Sequence, residues 1–326
     1  MLSRAYAGAM GANPSGPVVV LGECVADAFA TARPPGVTGL DLGVMPGGGP
    51  ANTAVALGRL GTRTRFLGRL STDVFGRLFR EHLAASGVDL TGCPAAEEPS
   101  TLAIADLDDE GRAHYTFHAE GTADWQWTDE ELAAGLPTDG FACLHTGSLA
   151  LVREPGGDCV ERLLTGARQT ATVSIDPNVR PLLVAPDRYR ERLPGWCAAA
   201  DILRLSDDDL AHLHPGASPE KAADSWHGLG VRLVVVTLGP EGVFASLDGE
   251  RLRVPAAPGV TVVDTVGAGD SFMAGLLHSL HARGELGGRL DTLDAEATHE
   301  ALAFGVRVSA ATCAVRGADP PWADQL

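Results

Sequence analysis

Apolar residues along the chain follow two alternating patterns, short β-branched runs and longer segments with helical spacing. The β-branched runs predict strands at residues 17–21, 65–70, 141–145, 172–176, 201–205 and 232–238. The helical spacing predicts helices at about 51–60, 74–85, 157–170, 187–199, 207–213, 219–229, 268–283 and 295–315. Because strands and helices alternate, we expect a mostly parallel sheet with helices on both faces.

Two further strand-like regions, at about 25–46 and 99–118, do not alternate with helices. The second region contains two runs separated by Asp108-Asp109-Glu110-Gly111, which is typical of a hairpin, and Asp248-Gly249 indicates another hairpin. We expect residues 25–46 and 99–118 to form a small separate sheet that could act as a lid. Residues 1–16 are mostly small and are interpreted as a flexible tail rather than a signal peptide.

Charge and composition exclude several classes of protein. The 326 residues include 25 Lys and Arg against 42 Asp and Glu, and the net charge of −17 opposes nucleic-acid binding, which needs a basic face. The longest apolar run, at residues 233–236, is far too short to span a membrane. Six scattered cysteines without a C-x-x-C pair indicate reduced thiols in the cytoplasm. The single lysine, Lys221, follows no glycine-rich loop, so a Walker A ATPase is excluded.

The sharpest motif precedes one of the last predicted helices and reads Asp264-Thr265-Val266-Gly267-Ala268-Gly269-Asp270. Its small residues let the backbone approach a ligand, and the unpaired N–H groups and dipole of a helix amino end favour negative charge. A carboxylate in that first turn, Asp270, could accept a proton from a hydroxyl group while a phosphoryl group is held in line. The alternative interpretation is that Asp270 is only a helix cap and the glycines form a tight turn.

A second glycine-rich bend also precedes a predicted helix and reads Gly47-Gly48-Gly49-Pro50-Ala51-Asn52. Its glycines again permit close backbone approach, and Asn52 offers both a donor and acceptors, which suits a polyol. A simple loop-to-helix turn is the alternative. Neither motif contains G-x-G-x-x-G, so the dinucleotide fingerprint of a nicotinamide oxidoreductase is lacking.

Taken together, these motifs resemble the ribokinase-like (PfkB) sugar kinases over about residues 17–321. The resemblance includes Gly22-Glu23 with Asp27, the bend ending in Asn52, and the motif ending in Asp270. Other segments follow in the family's order: Thr72-Asp73-Val74-Phe75-Gly76, Ser174-Ile175-Asp176-Pro177-Asn178-Val179-Arg180-Pro181, Leu205-Ser206-Asp207-Asp208-Asp209-Leu210 and Val236-Thr237-Leu238-Gly239-Pro240-Glu241-Gly242. The fructokinase branch is the most similar, through residues 145–149 and the Asp-Pro-Asn-x-Arg-Pro segment.

The resemblance implies an α/β fold, a ribokinase-like three-layer sandwich with a mostly parallel central sheet and a small β-sheet lid. Residues 17–326 would form the kinase domain, and a homodimer through the lid is expected, since lid strands expose edges and apolar faces. The implied activity is transfer of the γ-phosphoryl of ATP to a primary hydroxyl of a small carbohydrate, with fructose favoured. A 2-keto-3-deoxygluconate kinase, a nucleoside kinase and a non-catalytic sugar-binding protein are the alternatives.

The resemblance also implies roles for individual residues. Asp270 would be the general base, and Gly267, Ala268 and Gly269 would form the anion hole. The expected sugar-binding residues are Asp27, Gly48, Asn52, Arg180 and His118. The expected ATP-binding residues are Ser206, Thr237, Gly239, Gly242 and Gly269. Asp209 would act on Mg²⁺ through water, and a monovalent cation such as K⁺ would lie near Asp264, Val266, Val315 and Gly317.

Overall fold

The computed structural model of the chain describes residues 13–30, 38–107 and 113–326. Most of the predicted tail, part of the first lid segment and the predicted turn at residues 108–111 lie outside the described residues. The described end of the tail packs on the domain, because the Asn13 side chain donates a hydrogen bond to the Asp139 carbonyl and the Gly16 carbonyl accepts one from His281. Contacts with the domain therefore begin before the predicted boundary at residue 17.

The chain alternates strands and helices over most of its length. In chain order the described strands are β1 (Val18–Leu21), β2 (Val25–Ala30), β3 (Leu42–Gly47), β4 (Thr64–Leu67), β5 (Leu70–Ser71), β6 (Ala95–Ala96), β7 (Thr101–Leu107), β8 (Ala113–His118), β9 (Cys143–Gly147), β10 (Thr172–Asp176), β11 (Ile202–Ser206), β12 (Leu233–Thr237), β13 (Val243–Leu247) and β14 (Glu250–Val254). The described α-helices are α1 (Gly49–Arg59), α2 (Val74–Ala85), α3 (Asp129–Gly135), α4 (Gly156–Ala167), α5 (Pro186–Ala199), α6 (Asp207–Leu213), α7 (Pro219–His227), α8 (Ala268–Ala282) and α9 (Ala295–Cys313).

The central sheet has the strand order β14-β13-β12-β11-β10-β9-β1-β4. The strands from β12 to β4 are parallel, whereas β13 and β14 form an antiparallel hairpin at the sheet edge. The predicted mostly parallel sheet and the hairpin at Asp248-Gly249 are confirmed. Because the strands are parallel, their carboxyl ends lie along one edge, which is where open α/β sheets bind ligands.

Helices cover both faces of the central sheet and make three layers. On one face, Val19 of β1 belongs to a buried cluster with Leu163 of α4 and Trp196 of α5. On the other face, Val20 belongs to a cluster with Leu276 of α8. Every residue of β1 is buried and apolar, which is typical of a parallel strand covered on both sides. No helix among the described residues is both long and apolar enough to cross a membrane.

A separate four-stranded sheet in the order β3-β2-β7-β8 forms the lid, as predicted. Alternate residues of its strands face opposite sides. Ala26 and Leu102 pack against the core of the main domain, whereas Phe29 is exposed on the other side. The lid strand β2 begins only a few residues after β1, so the lid rises directly from the carboxyl edge of the central sheet.

Two local differences from the predicted elements have clear physical reasons. The strand predicted at residues 65–70 divides into β4 and β5 at Gly68, where a Cβ would collide with the ring of Phe66. Helix α3 was not predicted, although Thr128 and Glu131 form a capping box, the T-x-x-E signature of a helix start.

Candidate active site

Two helix amino ends meet at the carboxyl edge of the central sheet. Helix α1 starts at Gly49, and α8 follows Gly267. The Asn52 side chain donates a hydrogen bond of 2.9 Å to Asp270 Oδ2, although 218 positions separate the two residues. A Cβ added at Gly49 would lie 3.2 Å from Asp270 Oδ1. The two glycine-rich motifs therefore converge on one carboxylate.

The carboxyl group of Asp270 experiences opposing influences. Burial raises the pKa of Asp270, while the hydrogen bond from Asn52 and the positive charges of Arg180 and Arg204 oppose that rise. Asp270 also lies in the first turn of α8, where the helix dipole favours a carboxylate. Such a group can accept a proton from a hydroxyl group brought into hydrogen-bond contact.

The two glycines at the start of α8, in the segment 267–269 that we call the α8 bend, are required for different steric reasons. Gly267 has a left-handed φ of 75°, and a Cβ there would lie 2.6 Å from the Cβ of Ala318. A Cβ at Gly269 would lie 2.7 Å from Nη1 of Arg204. No side chain caps α8 at Gly267, so the amino end of this long helix is suited to an external anion.

Asp27 and Gly48, two of the predicted sugar-binding residues, lie where the lid joins α1. Asp27 is half-buried on β2; burial raises the pKa of its carboxyl group to about 6, and the charge of Arg180 opposes that rise. A Cβ at Gly47 would collide with the Asp27 carboxylate, and one at Gly48, where φ is 103°, would lie 2.5 Å from the Glu23 carbonyl oxygen. Close backbone approach therefore requires glycine at both positions.

Arg180 faces the same space from the loop after β10. Its positive charge lowers the pKa of both Asp27 and Asp270 relative to burial alone. Arg180 is exposed, and its guanidinium has no hydrogen bond or ion pair within the described part of the chain. Asn178, with φ of 41°, reaches the same place, because its Nδ2 lies 2.7 Å from a Cβ built at Gly49. Arg180 is therefore placed to meet a ligand between the two carboxylates.

His118 is not brought together with the other predicted sugar-binding residues. In the lid, Asp27 pairs with Ala103, and Ala103 pairs with Phe117. Paired residues on neighbouring strands share a face, and successive residues alternate, so Phe117 lies on the Asp27 face and His118 lies on the opposite face. The register places His118 on the lid face opposite Asp27, whereas Phe117 and Tyr115 of β8 share the face of Asp27.

Glu23 is a buried acid next to this site, and the sequence motifs predict no role for it. Burial raises the pKa of Glu23 to about 7, against the effect of a hydrogen bond with Ser148. Its Oε2 atom has no partner among the described residues, and Ser148 has an uncommon left-handed φ of 57°. The signal in the sequence was an acidic residue two positions after a wholly apolar strand, in Gly22-Glu23.

The predicted nucleotide-binding residues cluster at the ends of β11 and β12. Ser206 and Thr237 are paired directly across these two strands. Gly239 and Gly242 follow Thr237 with φ of 52° and 89°, and a Cβ at Gly242 would collide with the Val254 carbonyl oxygen. These residues lie on the same sheet edge as the α8 bend, because Arg204 contacts both Thr237 and Gly269.

Asp209 is buried and fully engaged by its surroundings. Its Oδ2 accepts hydrogen bonds from the Ser206 hydroxyl at 2.6 Å and the Ser206 N–H at 3.0 Å. The bond from the Ser206 N–H and the bond from the Asp209 N–H to Ser206 Oγ form a capping box for α6. Its Oδ1 accepts a bond of 2.7 Å from the Val179 N–H. Asp209 therefore fixes the loop that carries Arg180, and its geometry suits the expected indirect contact with Mg²⁺ better than direct ligation.

Among the described residues there is no group of three or more His, Cys, Asp and Glu side chains that could hold a metal ion. Mg²⁺ commonly binds through substrate phosphates and one or two carboxylates, so the residues present fit an ion that arrives with a nucleotide.

The predicted monovalent-cation residues are partly brought together by Asp264. Its Oδ1 accepts a hydrogen bond of 3.1 Å from the Val266 N–H, and its Oδ2 accepts one of 2.9 Å from the Gly317 N–H. These bonds keep the pKa of Asp264 below its usual value. Val315 lies just after α9, whose last residue accepts bonds from the N–H groups of Val263 and Asp264. The two loops thus lie side by side behind the α8 bend.

The three-layer fold and its lid place the chain among the ribokinase-like α/β proteins. The chain belongs to the pfkB family of carbohydrate kinases, because the family model matches residues 16–325. It is therefore a phosphotransferase with an alcohol group as acceptor. This membership agrees with the resemblance seen in the sequence and argues against an oxidoreductase.

Fructokinases are prominent among the similar proteins. A fructokinase of Rhizobium leguminosarum bv. trifolii is 38% identical over 262 residues, covering 79% of this chain and 78% of that protein. A fructokinase structure from Xylella fastidiosa with bound ATP superposes with a TM-score of 0.83 at 26% identity, covering 93% of both chains. One from Vibrio cholerae O395 with fructose, ADP and calcium gives 0.78 at 26% identity, covering 94% of this chain and 95% of that chain.

Proposed function

We propose that the protein transfers the γ-phosphoryl of ATP to a primary hydroxyl of fructose. The observation that carries this proposal is the Asp270 carboxylate, shared between the amino ends of α1 and α8 through its bond with Asn52. One helix end suits a polyol and the other suits an anion, so a hydroxyl and a phosphoryl group can meet at this carboxylate. The fructokinase relatives support fructose as the acceptor.

In the proposed mechanism, Asp27, Gly48 and Asn52 hold hydroxyl groups of the sugar and Arg180 approaches the reacting groups. Asp270 takes the proton of the acceptor hydroxyl while the oxygen of that hydroxyl forms a bond to the γ-phosphorus. The bond from that phosphorus to the β–γ bridging oxygen breaks, and ADP leaves with the bonding electrons. Alignment of two bound substrates supplies roughly 7–11 kcal/mol of barrier reduction, which makes positioning the largest contribution.

The proposed anion hole consists of residues 267–269, and Gly269 would also contact the bound ATP. Ser206, Thr237, Gly239 and Gly242 would lie along the nucleotide. Mg²⁺ would be carried by the phosphates and neutralise their charge, and Asp209 would act on it only through water.

A monovalent cation such as K⁺ is proposed beside the loops that Asp264 joins, near Val266, Val315 and Gly317. The support is the Asp264 carboxylate, which accepts hydrogen bonds from the N–H groups of Val266 and Gly317 and so brings a negative charge between the two loops. We also propose a cytoplasmic location, supported by six cysteines that are all unpaired as thiols. The net charge of −17 supports small-molecule partners over nucleic acid.

The substrate is tested by measuring ADP release in a coupled assay over fructose, 2-keto-3-deoxygluconate and nucleosides. We expect the largest kcat/KM for fructose. A larger value for a keto-deoxy acid or a nucleoside would replace fructose as the substrate. Ligand-dependent stabilisation without turnover on any acceptor would instead favour a non-catalytic sugar-binding protein.

We further propose that two copies associate through the lid. The lid face that carries Asp27 also carries Phe29, Met45 and Tyr115, whose side chains are 46%, 60% and 52% exposed. Tyr115 stacks on Phe117 with ring centroids 6.0 Å apart. Exposed aromatic side chains on one sheet face are typical of a surface that another protein covers.

Replacement of Tyr115 by glutamate is expected to convert a wild-type dimer into a monomer, because a charge would be buried in the apolar contact. Sedimentation velocity at micromolar concentration measures this change. Thr116→Glu is the matched control, since Thr116 is the next residue of β8 and lies on the opposite face. A monomeric wild type, or a Tyr115→Glu variant that remains dimeric, would contradict lid-mediated association.

A further inference from the structure

A buried arginine lies directly beneath the amino end of α8. Arg204 is near the carboxyl end of β11, and its side chain is only 6% exposed. Its Nη1 donates a hydrogen bond of 2.6 Å to Asp176 Oδ2, and its Nη2 donates one of 2.7 Å to Thr237 Oγ1. A Cβ built on Gly269 would lie 2.7 Å from Nη1 and 2.8 Å from Nη2, so the guanidinium is against the bend itself.

We propose that Arg204 is a positioning residue for phosphoryl transfer, which holds the α8 bend in place and supplies a fixed positive charge behind the transferring phosphoryl group. This inference rests on the proposed function. In this proposal the positive charge behind the phosphoryl group belongs to Arg204, which contacts the α8 bend and Thr237 but would not contact the substrates.

The surroundings of Arg204 show that it does more than neutralise one buried acid. Its guanidinium faces Asp176 on β10, Asp209 on α6 and Asp270 on α8. His145 on β9 also faces it and stays neutral, because burial first and the charge of Arg204 second lower the pKa of His145 to about 3. Arg204 is therefore a buried cation among several acids at the point where the phosphoryl group would arrive.

The pair that Arg204 forms with Asp176 is incompletely satisfied. Arg204 Nε and Asp176 Oδ1 are both buried, and neither has a hydrogen-bond partner among the described residues. A pair placed only for stability would be expected to be bidentate, since burial of charges is costly unless every polar atom is bonded. Instead, the second amino group of Arg204 is directed to Thr237, so the side chain links β10, β12 and α8.

The contact also changes the explanation of Gly269. The sequence suggested that the lack of a side chain at Gly269 lets a ligand approach. The side of Gly269 on which a Cβ would project instead faces Arg204. The glycine is needed because the guanidinium occupies that space. Arg204 and Gly269 therefore act as one unit, in which the missing side chain of one residue makes room for the charge of the other.

Two consequences separate this role from a purely structural one. Loss of the charge leaves the transferring phosphoryl group less stabilised, and removal of one preorganised electrostatic group typically lowers kcat by about 10²–10³-fold. Loss of the charge also removes one of the influences that favour the ionised form of Asp270, so the acidic limb of the kcat–pH profile moves to higher pH. A structural defect alone lowers the amount of folded enzyme without moving that limb.

The experiment compares Asp176→Asn/Arg204→Gln with wild type and with Asp176→Asn, from which the double variant differs only in the charge of Arg204. The double variant is used because Arg204→Gln alone would leave a buried carboxylate without its cation. We expect it to fold, to lose about 10²-fold or more in kcat with a smaller change in the KM for ATP, and to show the shifted acidic limb. Arg204→Lys should have a higher kcat than the double variant, since lysine keeps the positive charge but lacks the paired hydrogen-bond donors of the guanidinium. A folded double variant with wild-type kcat and an unmoved limb would overturn the proposal.

A second measurement does not depend on activity. Gly269→Ala should lower the Tm of the otherwise wild-type protein, because the new methyl group displaces the guanidinium, and should lower it less in the Asp176→Asn/Arg204→Gln background. Gly288→Ala, at a glycine with open space around it, is the control. Equal Tm losses in both backgrounds would refute the coupling. If the wild type does not phosphorylate fructose, the proposed function fails. The comparison of Tm losses in the two backgrounds still tests the contact between Arg204 and Gly269.

Discussion

Replacement of Asp270 by asparagine is expected to reduce kcat for fructose phosphorylation by about 10²–10⁴-fold, the usual contribution of a general base. Asparagine has nearly the same shape and can still accept the hydrogen bond from Asn52 through its carbonyl oxygen, so the two helix ends should remain together. It cannot take the proton of the acceptor hydroxyl. ATP and fructose should therefore still bind, which calorimetry measures separately from turnover.

Glu296→Gln is the matched control for this variant. Glu296 is also an acid in the first turn of a helix, but it is exposed at the start of α9, and its replacement removes the same charge. We expect wild-type kcat for the control. A near-normal kcat for Asp270→Asn would show that another group takes the proton, while a loss of both binding and Tm would indicate that Asp270 is mainly structural.

The arrangement around Asp270 was accessible from the sequence because its parts have strong local signals. A wholly apolar run such as Val18–Leu21 predicts a buried parallel strand. A glycine bend before a helical pattern predicts an exposed helix amino end at the sheet edge. The family resemblance then places Asn52 and Asp270 at one site, and the hydrogen bond between them shows that the two bends do converge.

Other features were hidden because they depend on three-dimensional neighbours. Arg204 lies between two leucines of β11, and nothing in its local sequence shows that its side chain reaches Gly269. The face of the lid on which His118 lies depends on strand register, and a difference of one residue places it on the face opposite Asp27. Asp209 has the acidic side chain that a magnesium site needs, but its oxygens are used by Ser206 and Val179.

Replacement of Asn52 by aspartate is expected to lower kcat at pH 7 by about tenfold or more and to restore part of it at alkaline pH. The Asn52 donor now favours the ionised form of Asp270 across 2.9 Å. An aspartate there would remove the donor and add a second negative charge, so the two carboxyl groups would share a proton and the pKa of Asp270 would rise. Since the base works only when ionised, the acidic limb of the kcat–pH profile must move to higher pH.

Two further variants separate charge from shape in this prediction. Asn52→Leu removes the donor without adding charge, so its limb should move less, although weaker fructose binding should raise its KM. Asn13→Asp adds the same charge next to the Asp139 carbonyl, away from Asp270, and should leave the profile unchanged. If Asn52→Asp shows the same limb as Asn52→Leu, the two carboxyl groups are not coupled and the ionisation of Asp270 is controlled elsewhere. An acidic limb that moves further in Asn52→Asp than in Asn52→Leu would establish that residue 52 of α1 sets the proton affinity of the base on α8.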